Sequence, residues 1–349
     1  MFDTIRARMA ITPQRTVAAG AVVSVALLTV IGVSTTWFIS ANSLRDNIEA
    51  WAEARRAEGY VVEYQGLEVS GFPFRLTTVL AAPAIAEPNH PNAWAWKGDR
   101  VVFEGSPWDF TELQITLPAA QEFRYRPVAG GDRVVTATVD QGVAQIALQR
   151  GVIEGFTLAV SGLTLSTADD ALRVERLAAE GRRVARDTRE LSLAIDDLTL
   201  PARMNGPMGR EIARFAAAAT VKGPLTPGDL PAVLIAWSEA GGTVELEAVD
   251  LRWRDLDITA SGTLALDREM RPQAALSAEI VGYGAALVAL AEGGAMKARD
   301  AVLTATALDL LARPRADGVR VLTLPLTAQD GTLFVGPLAL LRLPPVVRR

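Results

Sequence analysis

The chain has 349 residues, half of them hydrophobic yet only 6% aromatic, and a formal net charge of −5. That length allows one large domain or two ordinary ones. The acidic balance lacks the basic footprint that nucleic acid requires, and the absence of cysteine removes disulfide staples, thiolate nucleophiles and cysteine-ligated metals.

The first element is "VAAGAVVSVALLTVIGVSTTWFI", residues 17–39, which carries no charge. As a helix it would measure about 34 Å at 1.5 Å per residue. A bilayer core is about 30 Å thick, so the segment is predicted to cross one. Trp37 and Phe38 stand at its C-terminal end, where aromatics favour the interface, and Arg6, Arg8 and Arg15 precede it against Asp3 alone. The positive-inside rule then expects a cytoplasmic tail, residues 1–16, and places the chain after Asn42 across the membrane. The competing reading is a cleaved signal peptide. Its apolar region spans about 7–15 residues before a small-x-small site, and Ile39-Ser40-Ala41 is a poor one.

Residues 40–59 predict a helical stalk that continues the anchor. Leu44, Ile48, Trp51 and Arg55 follow helical spacing, Gly59 ends it, and Trp51 is the residue there that needs a partner.

From Tyr60 the period becomes two, which opens a β-rich domain over 60–349 with room for a subdivision near 201–228. Leu113, Ile115 and Leu117 alternate with polar residues, as do Ala144, Ile146 and Leu148, then Leu191, Leu193 and Ile195, and finally Leu322, Leu324 and Leu326. Alternation of this kind marks antiparallel sheets with one apolar face. "LEVSGFPFRL", "LAVSGLTLS" and "LDITASGTLALD" share a strand, a Ser-Gly step and a second apolar strand. Proline cannot donate to a strand ladder, so Phe72-Pro73-Phe74 reads as an edge-strand corner. Trp94, Trp96 and Trp108 cluster in one stretch and read as local core, with a sugar- or lipid-contacting site as the alternative.

Three late helices interrupt the strands: "GDLPAVLIAWSEAGG", with Asp229 as N-cap, "GYGAALVALAEGG", and "MKARDAVLTATALDLLARP". The fold class is mainly β (α+β). It comprises an N-terminal transmembrane helix and stalk, then a long curved antiparallel β-meander with a few covering helices near its C-terminal half.

Little in the chain asks for catalysis. His90 is the single histidine and stands in a loop; a zinc site there would need carboxylates that do not cluster nearby, and any Ser/His/Asp triad would have to use this residue. The sequence contains no G-x-S-x-G elbow and no phosphate-binding glycine loop. Asp169-Asp170 and Asp196-Asp197 sit at strand breaks and read as turn residues. No metal and no cofactor are expected.

The layout of an anchor, "GLEVSGFPFRL", "TVKGPLTPGDLPAVLIAWSEAGGTVELEAVDLRWRDLDITASGTLALD" and the tail "DGTLFVGPLALLRLPPV" resembles the bacterial domain of unknown function 2125 family. That resemblance implies an uncharacterised protein with no catalytic residues to carry over. More distantly, the chain is similar to AsmA-like envelope proteins, which implies an inner-membrane anchor, a periplasmic β domain and the sheltering of lipid acyl chains. On this reading Phe72, Phe74, Leu76, Leu256, Ile258, Leu264 and Leu266 line an apolar groove, with the membrane and lipid as partners. An envelope scaffold that binds other proteins is the alternative, and a carboxylate-based glycan hydrolase is less favoured. Open groove and closed sandwich both satisfy the alternation.

Overall fold

The computed structural model describes residues 13–89, 93–126, 131–226, 230–294, 296–316, 318–335 and 338–347, with the side chains of 13–27 and 335–341 outside that description. α1 (Pro13–Ala57) is one unbroken helix that runs from the charge-free stretch into the stalk. It ends where Gly59 takes φ +95°, with the N–H of Gly59 on Arg56 O at 3.0 Å and that of Tyr60 on Arg55 O at 3.1 Å. Among the described residues no helix is long and apolar enough to cross a membrane. The side chains of 17–27, part of the expected anchor, lie outside those residues.

The strands then follow in chain order. First come β1 (Val61–Glu63) and β2 (Gly66–Ser70), β3 (Leu76–Ala81) and β4 (Ala84–Glu87), and β5 (Trp94–Gly98) and β6 (Arg100–Gly105). β7 (Glu112–Thr116) and β8 (Ala120–Tyr125), then β9 (Arg133–Thr138) and β10 (Gln141–Gln149), continue the series. Each of these pairs is one long strand bent in the middle, at Gln65, Ala82, Asp99, Ala119 and Asp140. The ladder survives the bend: Ala82 N–H bonds Asp99 O at 2.8 Å, Asp99 N–H bonds Ala120 O at 3.1 Å, and Val139 N–H bonds Ala119 O at 2.9 Å. The sheet is therefore creased along a line that crosses five neighbouring strands.

β11 (Val152–Ser166) ends the creased part, pairing with β10 and then, past Gly162, with β9. The rest is an uncreased succession: β12 (Ala171–Ala185), β13 (Thr188–Thr199), β14 (Glu211–Lys222), β15 (Thr243–Trp253), β16 (Leu256–Leu266) and β17 (Pro272–Val281). The two-residue β18 (Arg313–Pro314) stands outside the sheet proper, which continues through β19 (Arg320–Gln329), β20 (Thr332–Val335) and β21 (Leu338–Arg342). With each bent pair taken as one strand, every strand of the main sheet bonds antiparallel to its neighbours in the chain. Two-residue turns with positive φ at both positions, Arg150-Gly151 and Asp330-Gly331, match the twist of the strands they join. β14 lies inside the expected 201–228 subdivision and is bonded on both sides.

Residues directly opposite one another in antiparallel strands share a face. Following the register from β3 gives Thr78, Phe103, Ile115, Ala144, Leu158, Ala179, Leu193, Ala217, Val249, Ala260, Ala278 and Leu324. Thr78 is the one polar member of this row. A single apolar face thus runs without a break from the crease to β19.

The first helix and the last two sit at the two ends of that face, and the one between them lies at the turn between β14 and β15. α1 packs at the crease. α2 (Leu230–Glu239) seats its buried Trp237 over Gly242, with the indole N–H on Lys222 O at 2.9 Å. Its expected cap Asp229 lies outside the described residues. α3 (Tyr283–Glu292) and α4 (Ala298–Leu311) cover the far end, where Tyr283, Ala312 and Leu322 are buried with Leu308, Ile280 and Leu324 against them. Between the covered ends Phe156 and Leu191, both on the apolar face, remain exposed. The sheet is neither a closed sandwich nor a bare groove; it is capped at both ends and open in the middle.

Candidate apolar-ligand site

A cavity of about 540 Å³ lies inside the crease. Its floor is the apolar face of β3 and β6, through Leu76, Thr78, Leu80, Val101 and Phe103. Val62, Ile85 and Trp96 form the wall beyond the bend, and Leu44, Ile48, Trp51 and Ala52 of α1 form the roof. The helical spacing of those roof residues is what turns one stripe of the stalk toward the sheet. Trp51, expected to need a partner, stands half-exposed at the edge of this cavity. The wall is almost wholly apolar. Trp96 directs its N–H away to Gln121 Oε1 at 3.0 Å. Thr78 is 1% exposed, and its hydroxyl has no hydrogen-bond partner among the described residues. Sites for small apolar molecules are commonly concave and pre-formed, with volumes of about 300–1,000 Å³.

Of the residues expected to line a groove, Leu76 is in the cavity floor. Ile258 and Leu264 are half-buried on the same apolar face farther along, opposite Leu251 and Ile280, and Val244 and Ala274. Leu256 and Leu266 flank them at the two ends of β16. Phe72 and Phe74 are placed elsewhere. The expected edge-strand corner is the turn between β2 and β3, closed by Arg75 N–H on Gly71 O at 3.0 Å. Gly71 makes the turn at φ +97°, where a Cβ would meet Arg75 O at 2.7 Å. A turn at the end of a strand projects past the sheet rather than onto its face. Phe72 therefore meets the rings of Trp37 and Phe38, at centroid distances of 5.6 and 5.9 Å, and Phe74 is 75% exposed.

The other chemistry-bearing residues are tied into the scaffold. Asp170 accepts from the N–H groups of Ala171, Ala202 and Arg203, at 2.9, 2.6 and 3.0 Å, which holds its carboxyl below the usual range. Asp196 binds Arg214 at 2.9 Å. His90 lies outside the described residues. A second concavity, of about 930 Å³, is lined by Glu104, Glu154 and Arg183 among others, with Arg183 bonded to Glu154 at 3.3 Å. Among the described residues no group of side chains is arranged to hold a metal ion. The cavity under α1 was not foreseen as such; the stripe of Leu44, Ile48 and Trp51 was its only signal in the sequence.

Fold and site together define a creased β-meander protein with an apolar chamber roofed by its N-terminal helix. The chain belongs to the family described as "Uncharacterized protein conserved in bacteria (DUF2125)", which it matches over residues 37–344. No curated protein and no solved structure matches it.

Proposed function

We propose that this protein is a non-catalytic carrier or shelter for an apolar ligand of lipid type, held in the chamber under α1 and along the apolar face that leads from it. The unbroken apolar row from Phe103 to Leu324, opening from a chamber of about 540 Å³, carries this reading. An elongated hydrocarbon chain buries its surface best on a strip of this shape, since the gain is roughly 0.8 kcal/mol per buried CH₂. The distant resemblance to AsmA-like proteins read from the sequence supports this reading by analogy alone. In this reading residues 17–39 anchor the chain in the bacterial inner membrane and the β domain is periplasmic.

Native mass spectrometry of the full chain extracted in detergent tests the ligand. Co-purified phospholipid is the expected result. Ile48→Trp and Leu80→Trp, which fill the chamber, should abolish it while leaving the far-ultraviolet spectrum intact. Wild-type protein that carries no lipid and binds no apolar fluorescent probe would remove the proposal. Fusions to the C-terminus test the topology: alkaline phosphatase should be active there and green fluorescent protein dark.

A further inference from the structure

The turns at one end of the sheet are apolar where they meet α1. Phe38 on the helix, Phe72 and Phe74 in the β2–β3 turn, and Trp108 and Phe110 in the β6–β7 turn are all exposed large side chains. Both turns are fastened to the helix: Trp37 Nε1 donates to Arg75 O at 2.8 Å, and Ser40 Oγ donates to Pro107 O at 2.9 Å. The next turns along this end continue the pattern, with Val152, Ile153 and Val184 exposed beside Arg150 and Arg186. At the opposite end the turns nearest α1 carry Arg126 paired with Asp132, then Asp169 and Asp170, with Arg254 and Asp255 farther along. The exposed apolar residues at that end, among them Val302, Leu303, Leu310 and Leu311, belong to α4 beside the last strands. The β16–β17 turn, on the rim's own end, is charged through Asp267 and Glu269. Scattered apolar residues on a surface need no explanation, but five large ones gathered where two turns meet one helix do, even with Arg75, Asp109, Glu112, Glu154 and Arg183 interleaved along the same end.

What covers the rim is indicated by where the helix goes. Residues 17–36 carry no charge, and twenty residues of helix measure about 30 Å, the thickness of a hydrocarbon core. Trp37 and Phe38 therefore stand at the level where such a core would end. Aromatic side chains, with arginines beside them, are what that depth favours.

We infer that this rim rests in the surface of the lipid bilayer that α1 enters, and that the chamber fills from that bilayer. Phe110 belongs to both features, since it lies in the fastened turn and lines the chamber beside Leu44. The inference rests on the anchor reading above for its first half, which the C-terminal fusions test separately, and on the ligand reading for its second.

The cysteine-free chain makes the test direct. The full chain is labelled with a nitroxide at single cysteines replacing Phe74, Trp108, Asp169 or Asp255, then reconstituted into vesicles of phosphatidylethanolamine and phosphatidylglycerol. Labels at 74 and 108 should collide with oxygen in preference to a water-soluble nickel complex, and labels at 169 and 255 should do the reverse. Equal water access at all four positions would overturn the seat. Binding of an apolar probe in detergent, measured on the same proteins, reports the chamber separately, so either reading can fail alone. Phe74→Glu combined with Trp108→Glu changes no residue that lines the chamber. It should leave probe affinity unchanged and slow transfer of fluorescent phospholipid from vesicles by about tenfold or more. Unchanged transfer would overturn filling from the bilayer.

Discussion

The indole of Trp37 donates to the carbonyl of Arg75 at 2.8 Å, so a residue near the end of the charge-free 17–39 segment is locked to the β2–β3 turn just after Phe74. Trp37 is buried there with Ala41, Val69 and Leu76. Trp37→Phe should keep most of the packing and cost about 1 kcal/mol for the lost hydrogen bond. Trp37→Ala should cost about 3–5 kcal/mol. Denaturant titration of the full chain in detergent reads both, and equal stability of the two variants would refute the lock.

Thr78 offers a probe of the chamber. A buried hydroxyl without a partner carries a desolvation penalty, and valine has nearly its shape. Thr78→Val should therefore raise the stability of ligand-free protein by about 1 kcal/mol and leave affinity for a pure hydrocarbon probe intact. Weaker retention of native lipid in the same variant would show that a polar group of the ligand accepts from this hydroxyl.

Gly162 holds β11 at the crease with φ +62°, and a Cβ there would stand 2.1 Å from Asp140 Oδ2. Gly162→Ala should destabilise by more than the roughly 1–2 kcal/mol that a left-handed residue costs. Adding Asp140→Gly should recover the steric share, since even the Asp140 Cβ would stand 2.9 Å from the new one, and a double-mutant cycle by thermal unfolding separates it from the backbone cost.

Stability should fall in acid. Asp170 is held low by backbone N–H groups led by that of Arg203. Burial pushes Asp267 up, but the bonds from Arg271 and from the N–H of Glu269 outweigh it and leave its carboxyl low as well. A carboxyl with a lowered folded pKa contributes stability that is fully present above the unfolded value of about 3.9 and is lost as pH drops through the folded one. Melting temperature should hold near neutral pH and decline below about pH 4. Asp170→Asn together with Asp267→Asn should flatten that decline; an unchanged slope would assign it to other groups.

Much of the sheet was legible because a single wet face forces strict alternation, as Leu191, Leu193 and Ile195 illustrate in β13. The repeated Ser-Gly step has a physical cause as well. Gly162 at φ +62° and Gly262 at φ +149° stand where a Cβ would run into Asp140 or into Ala275 O, and Gly71 shares their positive φ. The crease was hidden, since Ala82-Pro83 and Gly98-Asp99 look like ordinary hairpin turns until the ladder is seen to pass through them. Phe72 and Phe74 alternate as strand residues do, and only the turn at Gly71 sends them off the sheet. The chamber depends on α1 lying over β3 and β6, a long-range packing that periodicity does not encode.

The order of the strands has a consequence for how such a domain can change in length. Among the described residues no strand of the main sheet is threaded between others, so a hairpin inserted anywhere lengthens the ribbon without rerouting what exists. Parity then matters. Gain or loss of two strands keeps each remaining turn at its own end, whereas a single extra strand would send every later turn to the opposite end and reverse the two rims from that point on.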